Sequence, residues 1–166
     1  CTIADDGGRF AFVKDFSVVA WVKNTQVGDV LCKYVPFNGG WYLQVDVAGP
    51  ARFGTPVAQP VSTTTVNDDR WRHIVGVYQA GGTSRIYVDG NLEDTRQNAG
   101  TFSWAGYNLG LPVYFGRYFD PLADSTYVGL IDEAQLYDHA LNADEVHYLY
   151  AHPGETISSD PLTEKY

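Results

Sequence analysis

From residue 16 to residue 47 the chain repeats one pattern: an apolar or aromatic run, a cluster of turn residues, then another run. "FSVVAWVK" (16–23), "VLCKYV" (30–35) and "WYLQVDV" (41–47) are rich in β-branched and aromatic residues and read as strands. "RFAFV" (9–13) reads as an earlier one. "WRHIVGVYQ" (71–79) meets "SRIYVDG" (84–90) across Ala80-Gly81-Gly82-Thr83, the pattern of a hairpin with a short Gly-containing loop. Asp89-Gly90 marks the next reversal. "PVYFGR" (112–117) and a closing strand at about 127–138 complete the series. Strands at this spacing predict an all-β sandwich.

One helix interrupts the alternation. In "LNADEVHYLY" (141–150), Asn142 can cap the first turn and Glu145, three residues on, completes a capping box. Leu141 and Val146 occupy the positions of a hydrophobic staple. Val146, Leu149 and Tyr150 give the helix one apolar face. The pattern therefore places one domain over 1–153, with 154–166 as a polar tail or linker.

Composition sharpens this picture only in places. With 12 Tyr, 8 Phe and 4 Trp against no Met, the chain suits a β-rich core, and 166 residues suffice for one. A net charge of −9 argues against binding nucleic acid or an anionic membrane through a general positive field. A local basic patch built from Arg9, Arg70, Arg72, Arg85 and Arg117 is compatible with that charge. No apolar run is long enough to enter and span a bilayer. The first residues carry no basic-then-apolar export segment, and a start at Cys1 is read as the mature form of a secreted protein. In an oxidising compartment Cys1 and Cys32 can form a disulfide; otherwise they are two thiols, with Cys32 packed in a strand.

"GLIDEAQLYDHAL" (129–141) carries the most pointed chemistry, two adjacent acids in a strand. Strict alternation puts Asp132 on one face with Leu130, Ala134 and Leu136, the side that reads as buried. Glu133 then falls on the other face with Ile131, Gln135 and Tyr137. A carboxylate on an apolar face needs a cation or several hydrogen-bond donors. Calcium, which takes six to eight oxygen ligands, is a sensible partner. Backbone N–H groups of a neighbouring loop are the alternative.

Taken in order, "DFSVVAWVK", "RWRHIVGVYQAGGTSRIYVDG" and "VGLIDEAQLYDHALNADEVHYLY" resemble the laminin G-like, concanavalin A-like family, over roughly residues 6 to 150. The resemblance implies a two-sheet antiparallel jelly-roll sandwich with one short C-terminal helix. It also implies a secreted or cell-surface module, often carbohydrate-binding or adhesive and joined to neighbouring domains of a larger protein. Many members hold one calcium ion. On that resemblance "DDGGRFAFV" (5–13) supplies a second acid, Asp6, with Asp5 as its substitute, to join Asp132 around the metal. His73 fills the family's structural Trp-x-His position.

Catalysis is poorly served by these residues. Glucanases of related fold carry Glu-x-Asp-x-x-Glu with the acids on one face, whereas here Leu130 stands where the leading Glu is needed. A retaining pair must also sit about 5 Å apart. His73, Tyr78, Arg72 and Arg117 are raw materials for a lyase without an ordered motif. The four histidines show no metal spacing, and no Gly-rich phosphate loop is present.

Sugars are held by aromatic planes under their C–H faces and by polar groups at their hydroxyls. Trp21, Trp71 and Trp41 read as core. "GTFSWAGYNLG" (100–110) places Trp104 and Tyr107 among small and polar residues. "RYFDPLADSTY" (117–127) adds Arg117, Tyr118, Phe119, Asp120, Asp124 and Tyr127. These loops either form one rim of a polysaccharide- or glycan-binding groove or cap the end of the sandwich. Tyr42, Gln44 and Asp46 offer a second surface, or simply a solvated sheet face. The function read from the residues is a non-catalytic, lectin-like module. A structural or protein–protein interaction domain and a polysaccharide-cleaving enzyme are the alternatives.

Overall fold

The computed structural model describes residues 1–5, 8, 10–35, 39–101, 110–117 and 126–158. Two antiparallel sheets face each other. The first contains β1 (Thr2–Ile3), β3 (Gly28–Val35), β4 (Gly39–Val45), β5 (Pro50–Gly54), β6 (Val61–Thr65) and β10 (Val113–Phe115), in the order β1-β10-β3-β4-β5-β6. The second contains β2 (Phe16–Asn24), β7 (Arg72–Tyr78), β8 (Thr83–Val88), β9 (Asn91–Gln97) and β11 (Gly129–Tyr137), in the order β11-β2-β7-β8-β9. The helix, α1, runs from Ala143 to Ala151.

Each face of β2 does a different job. Phe16, Val18, Ala20 and Val22 point between the sheets and pack with Trp41, Leu43, Phe53 and Ile74 in the main core. Val19, on the outer face, joins Val75, Val77 and Tyr87 under Leu141, Val146 and Leu149 of the helical segment. α1 is placed by its first turn. Asn142 accepts from the Glu145 N–H at 3.0 Å, and the Glu145 carboxylate accepts from the Asn142 N–H at 2.7 Å, a closed capping box. The helix covers the Val19 end of the outer face, and Tyr150 in its last turn reaches Trp21.

Two expectations change, and the open choice at the cysteines is resolved. Residues 10–13 of "RFAFV" form no strand; Phe12 instead stacks on Phe16 at 5.1 Å, and the Trp41 indole N–H donates to the Phe10 carbonyl at 3.2 Å. Cys1 and Cys32 are both free thiols, because β10 lies between their strands: Thr2 pairs with Tyr114, and Tyr114 with Cys32. Two strand spacings, about 10 Å, exceed the reach of a disulfide. Finally, Glu155 and Ile157 return to the sandwich, the Glu155 carbonyl accepting from Gln135 and the Ile157 N–H donating to the Tyr137 hydroxyl at 3.1 Å.

The flank formed by the edge strands β6 and β9 is closed by side chains. Glu93 of β9 accepts from the Thr63 and Thr64 N–H groups, each at 2.8 Å, and from both threonine hydroxyls. Asp94 accepts from the Val61 N–H at 3.1 Å. Carboxylates thus occupy edge donors that would otherwise invite another strand.

Candidate functional site

β11 does not keep the alternation expected of it. Asp132 pairs with Trp21 and Gln135 with Val19, so β11 advances three residues while β2 advances two. This is a β-bulge, and Glu133 inside it has φ 49°, a left-handed conformation uncommon outside glycine. Ahead of the bulge Ile131 points to the main core, and beyond it Leu136 does, although the two are an odd number of positions apart. Leu130 is 57% exposed, and Asp132 and Ala134 are exposed as well. The buried placement expected for Asp132 is therefore corrected. Its carboxylate lies at the surface and accepts the Glu133 N–H at 2.9 Å.

The bulge brings both acids to one groove. Trp21, Trp71, Asp132, Glu133 and Pro153 line a depression of ≈ 270 Å³ on the outer face of the second sheet, where α1 ends. Trp21 is held from behind. Its indole stacks on Tyr150 at 5.8 Å with 18° between planes, and lies 5.2 Å from the His73 ring. Trp71 is 43% exposed and sits just before β7. The turn that carries it is pinned by Arg72, whose guanidinium bonds Asp68 on one side and Asp89 at 2.7 Å on the other. Its hydrogen bonds to the Asp68 and Asp89 carboxylates hold the Arg72 guanidinium firmly protonated. Asp69 adds a backbone bond to Asn24 at 3.0 Å. Both tryptophans are thus surface residues on a braced frame, not the core residues expected.

A parity signal could have exposed them. Trp21 shares its face of β2 with Ser17, Val19 and Lys23, opposite to Phe16, Val18, Ala20 and Val22. Trp71 directly follows the turn sequence Asn67-Asp68-Asp69-Arg70. On the far side of the same two acids a second cleft, ≈ 550 Å³, runs past Cys1, Phe115, Tyr127 and Ile131. Asp132 and Glu133 form the ridge between them.

His73 is 1% exposed, and neither ring nitrogen has a hydrogen-bond partner among the described residues. Burial pushes its pKa down to about 4, against a smaller upward pull from Asp89. It is a packing residue behind Trp21 without access to a ligand.

Of the expected loop residues, Trp104, Tyr107, Tyr118, Phe119, Asp120 and Asp124 lie outside the described residues. Arg117 is exposed, with its guanidinium 5.8 Å from the Tyr114 ring centre. Tyr127 is corrected: it is 7% exposed, packs into the main core, and donates its hydroxyl to the Leu130 carbonyl at 3.2 Å. Burial raises its pKa well above the usual phenol value. On the other sheet, Tyr42 meets Tyr34 edge-on at 5.4 Å and covers Gly54, while Asp46 is paired with Arg52.

Of the residues expected to hold calcium, Asp5, the substitute for Asp6, is committed to an ion pair. The Asp5 carboxylate is wholly buried and 2.7 Å from the Lys33 ammonium, which also donates to the Leu111 carbonyl. Asp132 is exposed on the opposite sheet. A lysine thus supplies the cation at Asp5, and among the described residues no group of three or more His, Cys, Asp or Glu converges. Asp6 lies outside the described residues. The described side chains do not fit an ion shared by Asp132 and Asp5.

Solved structures of other proteins share the architecture. The binding domain of Paraclostridial Mosquitocidal Protein 1 is 15% identical, with TM-score 0.63, over 90% of this chain and 38% of that one. The binding domain of botulinum neurotoxin DC in complex with SialylT is 13% identical, with TM-score 0.62, over 85% and 36%. Domains LG4-5 of the mouse laminin alpha1 chain are 14% identical, with TM-score 0.62, over 86% and 40%. This chain spans less than half the length of each. At such identities the likeness is one of fold. No curated protein matches the sequence significantly. The sequence pattern of the concanavalin A-like lectin/glucanases superfamily, in its laminin G-like form, matches residues 2–147. The chain, a two-sheet jelly roll with one helix among its described residues, therefore belongs to that superfamily as a laminin G-like domain.

Proposed function

We propose that this domain is a non-catalytic carbohydrate-binding module that seats sugar residues in the groove between Trp21 and Trp71. One observation carries the reading: two indoles, one 43% exposed and one half-buried, share a groove with two carboxylates. Indole faces match the C–H faces of pyranose rings, and a few fixed polar groups orient the hydroxyls. The frame is preorganised by Tyr150, His73 and the Arg72 ion pairs, so little ordering cost falls on binding. The botulinum relative, a complex with SialylT, supports the idea that this fold accommodates a glycan.

Non-catalysis is part of the proposal. Asp132 and Glu133 are consecutive residues on one rim, whereas glycoside hydrolysis needs two carboxyls flanking the scissile bond from opposite sides. His73 is sealed behind Trp21 and cannot serve as a base. Secretion, and attachment to a larger extracellular protein that the module directs to polysaccharide, complete the reading. The proposed site uses no metal ion.

Affinity electrophoresis or calorimetry with neutral, acidic and amino polysaccharides tests it. Binding is expected and should fall at least tenfold in Trp71→Ala, about 1.4 kcal/mol, with thermal melting little changed. A folded wild type that binds none of them would replace this reading with that of a protein-interaction domain. Release of reducing or unsaturated sugar would overturn non-catalysis.

A further inference from the structure

The charge of the groove narrows its ligand. Among the described residues its lining contains Asp132 and Glu133 and no Lys or Arg. Neither acid forms an ion pair among the described residues. Of the bases near the groove among the described residues, Arg72 is committed to Asp68 and Asp89, and Lys23 and Arg70 lie 3.9 Å from Asp69 and 4.0 Å from Asp68. Among the described residues, two carboxylates therefore face the groove without a basic side chain in its lining, in a chain of net charge −9. They stand beside indole faces whose π-systems also attract positive charge.

We infer that the groove selects a protonated amino sugar, such as a 2-amino-2-deoxyhexose within a polysaccharide, over neutral and anionic sugars. The inference rests on the carbohydrate-binding reading above. The ring's C–H face lies on an indole while its ammonium group meets Asp132 and Glu133, so both features of the lining are used at once. A uronate or sulfated sugar would instead place like charge against the two acids. An N-acetylated sugar keeps the ring but loses the cation.

Three β-1,4 hexasaccharides that differ only at C2 provide the test: the glucosamine, N-acetylglucosamine and glucose hexamers, measured by calorimetry at pH 6 and 150 mM salt. The glucosamine hexamer should bind about tenfold tighter than either of the others. Asp132→Asn with Glu133→Gln should abolish that preference yet retain weaker binding, since an asparagine side-chain oxygen can still accept the N–H of the residue that follows it. Asp138→Asn with Asp144→Asn removes the same charge from exposed positions elsewhere and should leave the preference intact. Trp71→Ala should weaken all three hexamers. Equal affinity for the three hexamers overturns the charge selection and leaves carbohydrate binding standing. So does a preference lost equally in the Asp138/Asp144 variant, which would trace it to bulk charge. Absence of binding to all three, together with anionic and other neutral polysaccharides, overturns both readings.

Discussion

Asp132 and Trp21 are direct cross-strand partners on the outer face of the second sheet, one residue before β11 leaves register. That pairing sets a carboxylate beside an indole at a place where neither serves the core. Glu133 then arrives on the same rim only because the strand bulges.

Strain in the bulge is measurable. Glu133→Gly should raise stability by about 1 kcal/mol, because glycine adopts positive φ without the Cβ clash that a side chain meets. The same variant should bind the amino sugar more weakly. Urea unfolding and calorimetry on one sample check both, and a loss of stability would show that the Glu133 side chain contributes more to the fold than its backbone costs.

His73 makes the fold acid-sensitive. Its folded pKa of about 4 lies below the ordinary 6.5, so the native state holds it neutral while the unfolded chain takes up a proton. Stability is full above the unfolded value, declines as pH falls from 6.5 to 4, and levels off below, with a total loss of about 3 kcal/mol. His73→Leu should flatten that part of the stability–pH curve. Unfolding at pH 7, 5.5 and 4 for both proteins is sufficient, and an unchanged slope in the variant would assign the acid sensitivity elsewhere.

The buried ion pair predicts both a penalty and an indifference. Lys33→Met leaves Asp5 charged in the interior and should cost about 3–5 kcal/mol, most of it recovered when Asp5→Ala is added. Because Lys33 supplies the cation at Asp5, EDTA should leave the melting temperature unchanged. A fall with EDTA, reversed by calcium, would mean that a metal bound elsewhere stabilises the native state.

Glu93 guards an edge. Burial raises the pKa of its carboxyl, but hydrogen bonds from Thr64 and Thr63 outweigh that and leave it below the ordinary value. Its contribution is therefore present above the ordinary carboxylate pKa and is lost as pH falls through the lowered one. Glu93→Ala should cost about 1–3 kcal/mol and free the β6 donors. Light scattering during heating should then show earlier aggregation than in wild type.

Much of the sandwich is legible in the residues. β2, β3, β4, the β7–β8 hairpin and the capped helix follow from apolar runs and turn residues whose local signals agree with the tertiary structure. β5 and β6 escape because one begins at Pro50 and the other is mostly hydroxyl residues; their pairing depends on partners far along the chain. The 9–13 run misleads because, over residues 10–13, stacking of Phe12 on Phe16 and the Trp41 hydrogen bond to Phe10 hold the chain without a strand partner. The groove is the least legible feature. Period-two reading is sound only within an unbroken ladder, and one extra residue reverses every inside–outside assignment beyond it. Tryptophan's apolar bulk likewise conceals that Trp21 and Trp71 lie on the solvent side.

Glu133 is the surplus residue of its strand. Without it, Asp132 would still face Trp21, Ala134 would fall opposite Ala20, and Gln135 would keep its place against Val19. The sandwich and the acid rim are therefore specified by separate residues. A single-codon insertion into an otherwise regular strand is enough to add a second acid beside Asp132 without disturbing the core, and a single-codon deletion would remove that acid and leave the scaffold's hydrogen-bond ladder continuous.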